Sequence, residues 1–264
     1  MQKGLVSIIT PMYKGAAFVG ETIESVQAQT YTDWEMIIVD DCSPDEGAGI
    51  AVVKQYAEKD SRIILIESKE NRKSSGARNI ALHAAKGQYI ALLDSDDLWP
   101  ENYLQSQLDF LNASPDHVIV YAAVQHIEEE TKRWVSTPFP RPAQVNYNYL
   151  LKSCPITPSA TVYDAAKCKK YYFNEDMGSL RDDFVYWLSM LKDVSSAHYN
   201  PDMYILYRVR LNAVTASKWK MIKPHWKVLR EIEHLSLFKS IYCLFCWGVI
   251  GYVKVKIHFK DRKL

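Results

Sequence analysis

The segment YIALLDSDDLWPEN, residues 89–102, joins a run of apolar residues to a cluster of three acids. Residues 89–93 are typical of a buried strand, and Asp94, Asp96 and Asp97 follow directly. Like charges at a strand end are unfavourable unless a positive group lies beside them. A divalent cation fits this position, because Mg²⁺ and Mn²⁺ prefer hard oxygen ligands and take one or two carboxylates together with substrate phosphates. The segment therefore predicts a strand that ends at a metal and nucleotide site.

The same acids have a second interpretation as helix caps. A helix is predicted to begin near Pro100, and a carboxylate just before a helix stabilises its N-terminus. Capping employs one carboxylate, whereas the segment holds three. It therefore accounts for only one of the acids, and cation and nucleotide binding is the favoured interpretation of the cluster.

Around this segment, apolar runs typical of buried strands alternate with runs of helical periodicity. The predicted strands are residues 5–10, 34–40, 62–67, 89–94 and 117–127. The predicted helices are residues 17–29, 48–59, 76–86 and a fourth that starts at residue 100, with Gly87 as a C-terminal glycine, Pro100 in a first turn and Pro115 beyond the end of the fourth. This alternation predicts right-handed crossovers and a mostly parallel sheet covered by helices on both faces.

Ligands of such sheets bind outside the carboxyl ends of the strands. Polar segments follow three predicted strands, at residues 10–13, 40–45 and 94–97, and we expect them to line one crevice. In the second segment Ser43 and Asp45 fit a turn equally well. Arg78 lies near the same edge, where an arginine neutralises a phosphate or pairs with an acid. A plain surface ion pair remains an alternative for it.

The second half of the sequence is less regular. Residues 128–174 contain five prolines and are predicted to form loops and short strands of an insertion that faces the substrate. Residues 181–193 return to helical spacing and residues 203–210 to a strand. The acid pair Asp182 and Asp183 begins that helix, either as a solvated cap or as a positioned base.

Charge is unevenly distributed, although the net charge is only +1 and indicates no nucleic-acid partner. From Lys218 onward there are 11 Lys and Arg against 3 Asp and Glu, whereas the first 217 residues hold 21 against 28. A basic tail on an acidic body indicates contact with an anionic surface. Five irregularly spaced cysteines are typical of reduced thiols in the cytoplasm, and no signal peptide is predicted.

The tail itself, residues 218–264, is predicted to be helical. Its apolar run, residues 241–253, is too short for a bilayer span of about 20 residues, and lysines flank it. An interfacial helix on anionic lipid is one interpretation. A helix packed on the protein's own core, or in a dimer contact, is the other, and the pair Cys243 and Cys246 fits core or interface packing better than zinc or redox chemistry.

Several ordered motifs together resemble glycosyltransferase family 2, the inverting enzymes with the GT-A fold. The resemblance covers residues 4–215 and is carried by VSIITPMYKG, SVQAQTYTDWEMIIVDDCSPD, GARNIALHAAKGQYIALLDSDDLW and DDFVYWLSML. It implies an α/β protein with a GT-A-type nucleotide-binding sandwich, a mostly parallel central sheet flanked by helices, and a C-terminal helical tail. The implied domain is residues 1–217, with a nucleotide-sugar-binding half (1–125) and an acceptor-binding half (126–217), followed by the tail.

The resemblance also implies roles for individual residues. The expected nucleotide-sugar-binding residues are Thr10, Pro11, Tyr13, Asp40, Asp41, Arg78, Asp94 and Asp96. Asp96 and Asp97 would hold Mn²⁺ or Mg²⁺. Asp183 occupies the usual position of the catalytic base, counted back from Trp187, and Asp182 beside it is the alternative base. Relatives often carry histidine where this chain has Arg210.

The activity implied is metal-dependent, inverting transfer of a sugar from a nucleoside diphosphate sugar, expected to be a UDP-sugar. The implied acceptor is a hydroxyl of a saccharide or an undecaprenyl-diphosphate-linked sugar, in bacterial capsule, O-antigen or teichuronic-acid synthesis. We therefore expect a cytoplasmic protein at the inner face of the plasma membrane, with peripheral contact through the tail. The sugar, linkage, acceptor and oligomeric state stay open.

Two alternatives to a glycosyltransferase remain at this point. A sugar nucleotidyltransferase would carry a glycine-rich N-terminal loop, which TPMYKGAAF, residues 10–18, does not supply. A non-catalytic nucleotide-sugar-binding protein would keep the same carboxylates without turnover.

Overall fold

The computed structural model describes residues 1–128, 141–209 and 218–258. The strands are β1 (Gln2–Met12), β2 (Trp34–Asp40), β3 (Ile63–Glu67), β4 (Gly87–Leu92), β5 (Ile119–Glu128), β6 (Gln144–Val145), β7 (Thr161–Asp164) and β8 (Ala197–Val209). The helices are α1 (Val19–Gln27), α2 (Ala48–Ala57), α3 (Lys73–Ala84), α4 (Tyr103–Asn112), α5 (Tyr147–Leu150), α6 (Asp182–Asp193), α7 (Lys218–Lys227) and α8 (Leu237–His258). Single turns lie at Pro158–Ala160, Glu175–Met177 and Val228–Ile232.

In the described part of the chain, the eight strands form one sheet in the order β3-β2-β1-β4-β7-β5-β8-β6. Strand β1 pairs in parallel with β2 and β4, and β5 pairs in parallel with β8. Strand β7 is antiparallel to both of its neighbours, β4 and β5, and β6 is antiparallel to β8. Six of these eight strands therefore run in one direction, which confirms the mostly parallel sheet.

Both faces of the sheet are buried, and alternate residues of each strand enter different cores. From β1, Ile9 packs on the face covered by α3 and α6, whereas Ile8 packs on the face covered by α1 and α4. Burial on both faces explains why the central strands are continuous apolar runs rather than alternating ones. The predicted helix-flanked sandwich is confirmed.

Two local predictions need correction. Gly87 does not end α3 in a left-handed turn; α3 ends at Ala84, Ala85 is extended, and Gly87 begins β4. A Cβ on Gly87 would lie 2.5 Å from the carbonyl oxygen of Leu5, so the glycine permits close approach of β1. Pro100 is not in the first turn of α4 either, because that helix begins at Tyr103, whose N–H donates to the Pro100 carbonyl at 2.9 Å.

The tail is helical, as predicted, and one side of α8 packs on the body. Cys243 is buried in the core that also contains α6, which confirms a packing role for this thiol. The rings of Phe184, His225 and Trp247 stack in series, with centroid separations of 4.9 and 4.8 Å, and join α6 to α7 and α8. Within residues 1–128, 141–209 and 218–258, no helix combines the length and apolarity needed to cross a bilayer.

Candidate active site

Two adjoining cavities open at the carboxyl edge of the sheet. The first, about 350 Å³, is named here the Tyr13 cavity, and its lining includes Pro11, Tyr13, Asp41, Asp94 and Asp96. All three predicted polar segments thus meet in one crevice, as expected from the parallel register that sets Met12 opposite Asp40.

The second cavity, about 490 Å³, is named the Asp183 cavity. Its lining includes Asp182, Asp183, Arg141, Arg181 and Tyr207. The two cavities share Ser74, Arg78, Asp94 and Ser179, so they meet around the arginine. A larger cavity of about 580 Å³ beside α7 contains none of the predicted site residues.

Arg78 joins the two acid clusters. From α3, its Nη2 donates to Asp94 Oδ1 at 2.6 Å and its Nη1 donates to Asp182 Oδ2 at 2.9 Å. The Ser74 hydroxyl donates to the same Asp182 oxygen at 2.9 Å. Arg78 is only 5% exposed, so the alternative of a surface ion pair is wrong, and its Nη atoms bind carboxylates. Arg78 nevertheless lines both cavities, where a phosphate can still approach it.

A second arginine, Arg208 on β8, holds the turn at residues 94–97. Its backbone N–H donates to Asp97 Oδ1 at 3.1 Å, and its Nε donates to the Asp96 carbonyl at 3.0 Å. Its Nη2 pairs with Glu21 at 2.8 Å. The turn that carries the acids is therefore fixed by a strand from the second half of the chain.

Asp97 points into the protein rather than into the Tyr13 cavity. It is 1% exposed, and burial, followed by the charges of Asp96 and Asp94, raises the pKa of its carboxyl group well above the ordinary value. Its Oδ2 has no hydrogen-bond partner among the described residues. Of the two expected metal ligands, the structure brings Asp96 to the cavity, and the placement of Asp97 does not support direct coordination there.

The acids at this edge fit a hard cation with few protein ligands. In the described ranges, no group of three or more His, Cys, Asp or Glu side chains converges as a metal site. Asp94 and Asp96 do line the cavity, and a bound cation reduces the repulsion between neighbouring carboxylates. Mg²⁺ takes one or two carboxylates and completes its shell with water and phosphate oxygens, so this donor set suits a cation bound together with a diphosphate.

The remaining expected nucleotide-binding residues divide into two groups. Pro11, Tyr13 and Asp41 line the Tyr13 cavity, and Asp41 Oδ1 accepts the Arg72 N–H at 2.7 Å. Burial raises the pKa of Asp41, against the effect of that N–H. Thr10 is buried in β1 and Asp40 accepts hydrogen bonds from Ser43, so neither lines the cavity.

The two acids of α6 have different environments. Asp182 is neutralised by Arg78, whereas Asp183 Oδ1 accepts the N–H of Phe184 at 2.7 Å. Burial and the nearby charge of Asp182 raise the pKa of Asp183 to about 6, although Arg181 opposes the shift. A carboxyl group with a pKa near neutrality, on a cavity wall, suits general-base catalysis.

Sequence reasoning missed Arg208, Ser74 and the Arg72 backbone. Arg208 contacts an acid 111 residues earlier, and the periodicity of β8 contains no signal for that contact. Arg210, where relatives often carry histidine, lies outside the described residues.

Comparison with known proteins identifies relatives along nearly the whole chain. The profile of Glycosyl transferase family 2 matches residues 7–172. TuaG of Bacillus subtilis (strain 168), named for teichuronic acid biosynthesis, is 33% identical over 243 residues, which are 91% of this chain and 93% of TuaG. WfgD of Escherichia coli, named a UDP-Glc:alpha-D-GlcNAc-diphosphoundecaprenol beta-1,3-glucosyltransferase, is 32% identical over 264 residues, with 100% of both chains covered.

Solved structures show the same fold at lower identity. S. aureus TarS 1-349 in complex with UDP-GlcNAc superposes with a TM-score of 0.67 at 19% identity, over 92% of this chain and 71% of that one. A longer TarS chain gives a TM-score of 0.62 at 19% identity, and only 39% of it is covered. These neighbours confirm the GT-A-type sandwich.

Replacing Arg78 tests whether the buried ion pairs hold the site together. Arg78→Gln leaves two carboxylates unpaired, and breaking a buried pair costs about 3–5 kcal/mol. We expect the free energy of unfolding, measured by urea denaturation, to fall by about that amount. Arg72→Gln is the matched control, because its pair with Glu175 is exposed and surface pairs contribute about 0–1 kcal/mol. Equal losses in both variants would contradict the assignment.

Proposed function

The chain belongs to glycosyl transferase family 2, and from this membership we propose a metal-dependent, inverting transfer of a sugar from a UDP-sugar to a lipid-linked saccharide in bacterial surface polysaccharide synthesis. The observation that carries the proposal is the junction of the two cavities at Arg78, with Asp41 and Asp96 on one side and Asp183 on the other. A donor and an acceptor can thus meet across one shared wall. Family membership does not support the nucleotidyltransferase and non-catalytic alternatives.

The Tyr13 cavity is assigned to the donor. Pro11 and Tyr13 would border the uracil ring of the donor, and the carboxylate of Asp41 would accept a hydrogen bond from the uracil or ribose. TarS, whose structures contain UDP and UDP-GlcNAc, has the same fold and supports a uridine nucleotide. WfgD and WfaP, two relatives that are each 32% identical, are named for UDP-Glc as donor.

Asp96, with Asp94 beside it, would hold Mn²⁺ or Mg²⁺. When bound, such an ion supplies Lewis-acid neutralisation of the departing diphosphate. Arg78 and Asp94 lie where the two cavities join, so they would orient the diphosphate end of the donor. Asp97 has a supporting role in this proposal, since its carboxylate fixes the turn through the Arg208 N–H.

The Asp183 cavity is assigned to the acceptor. Asp183 would remove the proton of the acceptor hydroxyl while that oxygen attacks the anomeric carbon from the face opposite the diphosphate, which inverts the configuration. Asp182 accepts hydrogen bonds from Arg78 and Ser74 and would position Asp183. The names of WfgD and WfaP support a diphosphoundecaprenol-linked sugar as acceptor.

Asp183→Asn tests the base. We expect kcat for UDP release to fall by about 10²–10⁴-fold with donor affinity unchanged, the usual contribution of general-base catalysis. In the wild type the rate should rise with pH through about 6, because Asp183 must lose its proton to act as a base.

Folding provides the control for this variant. Burial opposes the charge on Asp183, so the neutral asparagine should not lower the free energy of unfolding at pH 7. Asp202→Asn, at an exposed carboxylate on β8, should leave kcat unchanged. Normal turnover by Asp183→Asn would overturn the assignment.

Asp96→Ala tests the cation site. It removes the carboxylate but keeps the carbonyl that Arg208 binds. By calorimetry with Mn²⁺ present, we expect the Kd for UDP to rise about ten-fold or more, as for a lost interaction of about 1.5–3 kcal/mol with a charged group. The difference between Mn²⁺ and EDTA should vanish in the variant and persist in Asp109→Ala, at an exposed acid on α4. If the UDP affinity of the wild type is the same with Mn²⁺ and with EDTA, metal-dependent binding is excluded.

Helix α8 is the candidate membrane contact. Its outward face carries large exposed apolar side chains at helical spacing: Leu237, Phe238, Ile241, Tyr242, Phe245, Val249, Tyr252 and Val253. Lys239 lies near the start of this stretch of sequence, and Lys254 and Lys256 follow its end. Apolar burial combined with attraction to anionic lipid is how interfacial helices bind. We propose that this face of α8 contacts the surface of an anionic bilayer.

Flotation with vesicles that contain anionic phosphatidylglycerol tests this contact. The double variant Phe238→Glu and Phe245→Glu places charge on side chains that are 85% and 69% exposed, so it should lose flotation without loss of folding. Tyr172→Glu, at an exposed aromatic residue outside α8, is the matched control and should float like the wild type. A double variant that still floats, or a wild type that forms a dimer through this face, would contradict lipid contact.

A further inference from the structure

The Asp183 cavity contains two arginines that the proposed mechanism does not use. Arg141 and Arg181 both line it. Within the described ranges, neither lies within ion-pair distance of a carboxylate, and Nε of Arg141 and Nε and Nη2 of Arg181 are buried without hydrogen-bond partners. Buried donors almost always have a partner in a folded protein, so these nitrogens indicate a ligand that supplies acceptor oxygens.

Arg181 has a strained backbone conformation, and aromatic rings pack against its side chain. It is the residue before α6 and has φ 65°, a left-handed conformation that is uncommon for a residue with a side chain. Its guanidinium lies 5.4 Å from the ring centre of Phe184 and 4.8 Å from that of Trp247. Backbone strain that surrounding packing maintains is typical of binding sites. The rings pack against the guanidinium, whose Nε and Nη2 have no partner among the described residues.

The charge balance of the cavity favours an anion. Arg78 already neutralises Asp182, which leaves Asp183 to face Arg141 and Arg181. Burial lowers the pKa of both arginines, so the cavity disfavours two positive charges until an anion enters. Two guanidinium forks match the several oxygens of a diphosphate better than a single carboxylate.

The position of these arginines separates them from the donor. Neither lines the Tyr13 cavity, which holds Asp41 and Asp96. Trp247, which packs on Arg181, belongs to α8, the helix whose opposite face is apolar and exposed. A lipid diphosphate sugar has its charge between the sugar and the lipid. Arg181 likewise shares a cavity with Asp183 and packs on the helix assigned to the bilayer.

We propose that Arg141 and Arg181 bind the diphosphate of the lipid-linked acceptor sugar. This assignment rests on the proposed function, because it takes the Asp183 cavity as the acceptor site. It makes the two arginines specificity-determining residues: they select acceptors that carry a diphosphate beside the sugar, and they place the sugar hydroxyl towards Asp183.

The direct test is binding of geranyl diphosphate to the full chain, measured by calorimetry with UDP and Mn²⁺ saturating so that the donor cavity is occupied. We expect Arg141→Gln and Arg181→Gln each to weaken binding at least ten-fold, with UDP affinity unchanged. Arg141→Lys and Arg181→Lys keep the charge but lose the planar fork, and should weaken binding by a smaller factor. Lys54→Gln, at an exposed ion pair with Glu67, should bind as the wild type does.

Three results would overturn the proposal: no binding to the wild type, equal binding by wild type and folded glutamine variants, or loss of UDP affinity in those variants. Thermal unfolding identifies a variant that fails to fold, and the lysine variants then decide. If the wild type binds glucuronate but not geranyl diphosphate in the same calorimetric experiment, the arginines are assigned to an acidic sugar instead. If the diphosphate binds through the arginines while the wild type releases no UDP from any UDP-sugar, the binding site stands and the proposed function fails.

Discussion

The ion pairs of Arg78 are the constraint on which the site depends. One buried guanidinium holds Asp94, at the end of β4, and Asp182, at the start of α6, although Asp182 lies 104 residues away in the sequence. Burying an ion pair costs desolvation energy that its attraction barely offsets, so its main effect is to specify geometry once both partners are present. Here it fixes the wall that the two cavities have in common.

The same arginine separates the roles of two adjacent acids. Asp182 is buried with a cation and a hydroxyl donor as partners, whereas Asp183 has neither among the described residues, and desolvation together with its negative neighbour raises its pKa to about 6. Different surroundings are a common way to obtain different roles from two residues of one type. These surroundings are what distinguish Asp183 from Asp182.

The positive charge that the acidic segment demands is supplied in part by the protein. Arg78 pairs with Asp94, and Arg208 binds the backbone and side chain of the turn that follows. A cation at Asp96 would then complete the site together with a diphosphate. Helix α8 joins the opposite side of the same centre to an apolar surface, because Trp247 packs on Arg181 while the outer face of the helix is exposed.

Local patterns in the sequence determined the strands, most helices, the parallel sheet and the edge where polar segments meet, because continuous apolar runs and helical spacing depend on near neighbours. They also carried the family resemblance. Gly87 was misplaced because its constraint comes from the backbone of β1, and Arg208 was missed because its partner lies 111 residues away. Thr10 and Asp40 were expected in the cavity, yet packing turned them inward. Only the tertiary structure distinguished Asp182 from Asp183 and brought Arg141 and Arg181 to one cavity, since burial and pairing arise when distant segments pack together.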